Sequence, residues 1–194
     1  MVNIRIMSEG ISRINFLREG LKNLRTVGTV TPSSRFLCEA MLSPINFAEA
    51  KVLVELGAGN GVITHHILRK MHPDATLLVF EVQANFCDIL RNIDDPRLVV
   101  IEGSAEHLPA YLAEHGFTHA DHIISAIPFV ILPKELARDI VATCHDSLAP
   151  GGHFVQMHYS MFLKSFYEEF FGEVRVRFCA RNFPPAFVFA CNDK

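Results

Sequence analysis

Val52-Leu53-Val54-Glu55-Leu56-Gly57-Ala58-Gly59-Asn60-Gly61 is the stretch on which the reading of this chain turns. A short apolar run of strand type ends in an acidic residue, and three glycines then follow at alternate positions. Glycines there let the backbone turn sharply and let a ligand approach with no Cβ in the way. The C-terminal edge of a strand is also where open α/β sheets bind their ligands. The spacing excludes two nucleotide loops. A dinucleotide fingerprint needs its third glycine where Val62 stands, and no Gly-Lys-Ser/Thr follows to make a Walker loop.

Twenty residues after Gly61, at the end of the next apolar run, stands Glu81. A carboxylate at that place accepts hydrogen bonds from both hydroxyls of a ribose, and its charge repels a 2′-phosphate. With no phosphate cradle present, the expected ligand is a nucleoside without phosphates, and S-adenosylmethionine (SAM) is such a molecule. The expected cofactor contacts are Glu55, Gly57, Ala58, Gly59, Gly61, Glu81 and Val82. Beyond the third strand Ser104 is placed to bond the adenine edge and Ala105 to leave room for the ring. Ser125, at the end of the fourth strand, is a further expected cofactor contact and leads into Ala126-Ile127-Pro128-Phe129, where a methyl acceptor is expected.

Outward from the glycine loop, apolar runs alternate with helix-like stretches, the pattern of a parallel α/β sheet. Strands are expected over 51–55, 76–81, 98–102, 122–125 and 153–158, and helices over 61–71, 86–92 and 133–148, the last stopped by Pro150-Gly151-Gly152. Two final runs, 174–180 and 187–191, flank the turn-rich Arg181-Asn182-Phe183-Pro184-Pro185 and predict a closing antiparallel hairpin. The segment before the sheet looks helical, with Ile11, Ile14, Leu17, Leu21 and Leu24 on one face. One domain over 1–194 is expected, with 1–45 as a helical cap and 46–194 as the core.

Of the 194 residues 49% are hydrophobic and 20% charged, which suits a packed globular domain and excludes a disordered chain. Cys38, Cys87, Cys144, Cys179 and Cys191 are odd in number and form no C-x-x-C pair, so they read as reduced core thiols. His115, His119 and His122 straddle Gly116 and share no helical face, so no metal is expected. With neither a leader pattern nor a long apolar run, a cytoplasmic protein is the default expectation. The net charge of −3 is uneven, because residues 1–35 carry six basic and two acidic side chains, net +4. That basic segment is too small for a nucleic-acid face, and nucleic acid is not an expected partner.

These motifs resemble the class I SAM-dependent methyltransferases, and over nearly its whole length the chain looks like the bacterial phospholipid N-methyltransferases, which methylate phosphatidylethanolamine. The likeness rests on Phe16-Leu17-Arg18-Glu19, Val27-Gly28-Thr29-Val30-Thr31-Pro32-Ser33-Ser34, the glycine loop, Ile127-Pro128-Phe129, residues 156–160 and Asn182-Phe183-Pro184-Pro185-Ala186. It implies a Rossmann-like α/β fold: a mostly parallel seven-stranded sheet with a C-terminal antiparallel hairpin and an N-terminal helical cap. It also implies a phospholipid substrate, with the basic N-terminal helix resting on the inner face of an anionic membrane, peripherally and without a span. The chain departs from that family at Ser104, where an acidic residue is more usual.

The implied chemistry is an in-line attack of an amine on a sulfonium methyl, for which the protein supplies alignment and exclusion of water. His158 or Tyr159 is placed to take or relay the amine's proton, and Phe129 with Tyr159 to hold a cationic headgroup through cation–π attraction. Three rivals stay open. An RNA adenine N-methyltransferase would need an asparagine where Ala126 stands and a basic domain after the sheet. A small-molecule amine methyltransferase and a SAM-binding protein without catalysis would keep the same glycine loop.

Overall fold

The computed structural model describes residues 33–192. The amphipathic stretch expected before residue 33, and with it most of the expected cap, lies outside the described residues. Seven strands form one sheet in the order β3-β2-β1-β4-β5-β7-β6. They are β1 (Val52–Leu56), β2 (Thr76–Glu81), β3 (Leu98–Glu102), β4 (Ala120–Ser125), β5 (Leu148–His158), β6 (Glu173–Cys179) and β7 (Ala186–Asn192). Pairings among the first five are parallel, while β7 runs antiparallel to both β5 and β6. The implied fold class is the observed one.

Helices cover both faces, which is why the central strands read as unbroken apolar runs. They are α1 (Arg35–Leu42), α2 (Val62–Leu68), α3 (Ala84–Arg91), α4 (Leu108–Glu114), α5 (Lys134–Asp146) and α6 (Lys164–Phe171). Alternation along each strand divides the core in two. Leu53, Leu77, Val79 and Val155 pack against α1, α2 and Leu90 of α3. Val54, Leu78, Ile123 and Phe154 pack against α4, α5 and α6. All five cysteines are free and buried in this core. The strand order reverses between β1 and β4, so the loops leaving those two strands diverge and open a crevice at the C-terminal edge.

Two differences from the sequence reading have clear causes. Helices α4 and α6 each bury one i,i+4 pair, Leu108 with Leu112 and Tyr167 with Phe171, too little periodicity to delimit a helix in advance. Strand β5 runs back through Pro150-Gly151-Gly152, which had been expected only to stop a helix. The ladder tolerates them because its register slips between Ala120 and His122, and Gly151 takes φ +77°. Gly152 presses on β4: a Cβ there would stand 2.5 Å from the Asp121 carbonyl oxygen. Gly152→Ala is therefore expected to lower stability by about 2–3 kcal/mol in urea unfolding, with SAM binding at the far end of the strand kept.

Candidate active site

The glycine loop between β1 and α2 takes the left-handed backbone that its residues favour, with φ +71° at Gly57, +56° at Gly59 and +82° at Gly61. Gly57 donates its N–H to the Phe80 carbonyl at 2.8 Å, which ties the loop to β2, and Gly61 donates to the Ala58 carbonyl at 3.0 Å, which closes the turn. Glu81, only 4% exposed, braces the loop from below. Its Oε2 accepts the Gly59 N–H at 2.9 Å, and its Oε1 accepts those of Val82 at 2.8 Å and Gln83 at 2.9 Å.

Above this loop lies a cavity of about 310 Å³. Gly57, Ala58, Gly59 and Glu81 form one wall, and Ile127, Pro128, Val130, Met157, His158 and Tyr159 form the opposite one. A smaller hollow of about 30 Å³, lined by Val82, Gly103, Ser104 and Ala105, adjoins it and shares Gly57, Glu81 and Ile127. The structure thus brings most of the expected contacts to one place. Gly61 stands behind the loop, where a Cβ would meet Leu90 Cδ2 at 3.1 Å, so its bareness lets α2 start close to α3.

Four expectations need correction. Glu55 lines neither hollow: it is 1% exposed beneath the loop, and neither carboxylate oxygen has a hydrogen-bond partner. Ser125 is fully buried, and its hydroxyl accepts the Ile127 N–H at 3.3 Å, so it shapes the turn after β4 instead of facing the cavity. Phe129 is turned inward by the 3₁₀ turn Phe129–Ile131 and packs edge-on against Tyr167 at 6.0 Å; Val130 takes the cavity wall in its place. Ser104 lines the small hollow, but its hydroxyl donates to Glu106 Oε2 at 3.0 Å and accepts the Glu106 N–H at 3.4 Å. The one hydroxyl proton is spent on the turn, so the expected bond to an adenine edge is narrowed to one that the oxygen accepts.

The family model described as "Methyltransferase domain" matches residues 53–152, from β1 to the bulge in β5. The chain is a class I SAM-dependent methyltransferase. It is 35% identical over 179 residues to the ornithine lipid N-methyltransferase of Singulisphaera acidiphila, covering 91% of this chain and 93% of that protein. Two solved structures share its fold. One is precorrin-6y C5,15-methyltransferase from Geobacter metallireducens, with TM-score 0.63, 13% identity and coverage of 81% of this chain and 88% of that one. The other is the N-methyltransferase NodS from Bradyrhizobium japonicum, with TM-score 0.62, 15% identity and coverage of 81% and 94%. SAM is the methyl donor of this methyltransferase. The site fits it: a Cβ at Gly59 would find no atom within 4 Å, so a ligand can lie directly on that backbone, and Glu81 stands buried beside it.

Sequence reasoning missed two positioning residues in this methyltransferase. Gln156 is fully buried in β5 and donates from Nε2 to the Ile127 carbonyl at 2.9 Å and to the Met157 carbonyl at 2.6 Å, which fixes the far wall of the cavity. A lone amide inside the apolar run 153–158 was the available signal. Asn182 accepts the Ser34 N–H on Oδ1 at 2.9 Å and donates from Nδ2 to the Pro184 carbonyl at 2.8 Å, joining the last turn to the start of α1. Ser34 lies 148 residues from Asn182 in sequence, so no local pattern reveals that contact.

At the acceptor end, burial holds His158 down to about 4, so the imidazole is neutral at working pH. Its Nε2 lies 3.0 Å from the Tyr167 hydroxyl, whose own pKa burial raises. A histidine so weakly basic is a poor proton acceptor and presents an uncharged polar edge to the cavity. Tyr159 is more exposed and lines the mouth, with its hydroxyl held above the ordinary value by partial burial. Among the described residues no three His, Cys, Asp or Glu side chains gather as metal ligands; His122 instead accepts the His153 N–H at 3.1 Å.

Proposed function

We propose that this methyltransferase moves a methyl group from SAM to the primary amine of a membrane lipid headgroup. The observation that carries the reading is the acceptor wall, where Ile127, Pro128, Val130, Met157, neutral His158, Tyr159 and Ser160 offer no charged side chain. The name of the 35% identical relative supports a lipid amine, and the resemblance to phosphatidylethanolamine methyltransferases points to the same chemistry. Ornithine lipid and phosphatidylethanolamine both present such an amine, and the enzyme would meet either one peripherally, at the cytoplasmic face of a membrane.

When bound, SAM supplies an electrophilic methyl beside a positive sulfonium. Gly57, Ala58 and Gly59 would cradle it, Glu81 would hold the ribose hydroxyls, and Val82 with Ala105 would border the base. An ammonium entering the uncharged wall loses solvation and faces the sulfonium's like charge, and both effects favour the free amine. The proton leaves to water, because His158 is too weak a base to keep it. With SAM in place the methyl would pass to the amine lone pair, the C–S bonding electrons going to sulfur and the positive charge to nitrogen. Ile127, held by Gln156, and Ser125 beneath its turn keep the two centres aligned.

Radiolabelled SAM incubated with micelles of each lipid tests the reading, with label counted in the organic phase. Label in mono- or dimethylated ornithine lipid or phosphatidylethanolamine is expected, and its distribution names the acceptor. Intact SAM binding with no label in either lipid overturns it in favour of a soluble amine.

A further inference from the structure

Among the described residues the exposed large apolar side chains are not scattered. Val130 follows β4; Tyr159, Met161 and Phe162 follow β5; Phe183 sits in the turn between β6 and β7; Phe178 is the last residue but one of β6. Only Ile89, on α3, stands apart from them. Because β5 and β7 are antiparallel and His158 pairs with Phe187, the 180–185 turn lies beside the segment that follows His158. The six therefore share the end of the sheet where the cavity opens, and Val130 and Tyr159 themselves line it. Phe162 is 84% exposed and Phe183 80%, and exposed apolar side chains gathered on one rim, unlike single ones, mark an interaction surface.

Charge points to the occupant. Across 126–133, 159–163 and 180–185 the one charged side chain is Arg181, and no carboxylate interrupts the rim. Residues 1–32, with five basic and two acidic side chains, join the described chain at Ser33, which lines the same cavity. An apolar rim free of anions, in a chain whose basic stretch of sequence ends at a residue of the same cavity, matches the interfacial layer of an anionic bilayer. We propose that Met161, Phe162 and Phe183 insert into that layer and set the cavity mouth at headgroup depth, with the acyl chains left in the membrane. The choice of a bilayer as occupant rests on the lipid reading given above.

The chain contains no tryptophan, so Phe162→Trp in the full-length protein is a single fluorophore. Its emission should shift to the blue on adding phosphatidylcholine vesicles that contain phosphatidylglycerol, and lipids brominated on their acyl chains should quench it. Emission that stays water-like while the protein sediments with the vesicles overturns the proposal. So does emission already blue before lipid is added, which would mean that residues 1–32 or a second copy cover the rim. Phe162→Ser should lower vesicle partitioning about tenfold, and Met161→Ser with Phe162→Ser about a hundredfold, with SAM affinity unchanged; partitioning equal to wild type overturns it. Methyl transfer scored in vesicles of the same composition with phosphatidylethanolamine or ornithine lipid added separates the two readings. Insertion without transfer removes only the lipid substrate, and transfer without insertion removes only the rim.

Discussion

Glu81→Ala is expected to weaken SAM binding about a hundredfold or more, as measured by titration calorimetry. Two ribose hydroxyls would lose a charged acceptor, and hydrogen bonds to charged groups are each worth about 1.5–3 kcal/mol. The loss has a second source that the sequence does not show. The same carboxylate accepts the N–H groups of Gly59, Val82 and Gln83, so alanine leaves loop donors unpaired as well as removing the ribose contact. Stability should therefore fall by about 1–3 kcal/mol, where a carboxylate serving the cofactor alone would cost little. Glu81→Gln keeps one acceptor oxygen and should recover much of the stability while recovering less of the affinity. Wild-type affinity in the alanine variant would move the cofactor away from this wall.

For Glu55 the expected effect is on stability against pH. Burial holds its carboxyl proton up to about 8 from an ordinary 4.5; the nearby Thr64 hydroxyl, outside hydrogen-bond geometry, pulls back, and the charge of Glu81 adds to the rise. Between those values the folded protein binds a proton that the unfolded chain has released, so stability falls as pH rises. The contribution is fully present below about pH 4.5 and gone above about 8. Its size is on the order of 3–5 kcal/mol. Glu55→Gln cannot ionise. From pH 5 to pH 9 wild type should lose on the order of that much more than the variant in paired denaturant titrations, all other groups cancelling. Parallel curves would mean that Glu55 ionises in the fold as it does in the open chain.

Glu55 and Glu81 also show how far a pattern reaches. Both are acids at the end of an apolar run beside the glycine loop, and in sequence they look alike as cofactor contacts. The fold separates them: Glu81, the last residue of β2, stands in the cavity wall, while Glu55 shares the sheet face of Val79, in the layer under α2 beside Thr64. Phe129 and Val130 are a second such pair. The motif Ile127-Pro128-Phe129 falls on the cavity wall, yet a 3₁₀ turn decides which of two neighbours lines it.

What the sequence by itself determined was what local chemistry dictates. The apolar runs specify buried parallel strands, the alternate glycines a left-handed loop at a strand end, Glu81 an acid beside that loop, and the apolar tail a hairpin, each from residues within a few positions of one another. Only the tertiary structure decided which polar groups face the cavity, the clamp from Gln156 to Ile127, the neutral state of His158 and the gathering of Val130, Phe162 and Phe183 on one rim. Those depend on contacts between residues far apart in the chain and on burial, and no local pattern carries either.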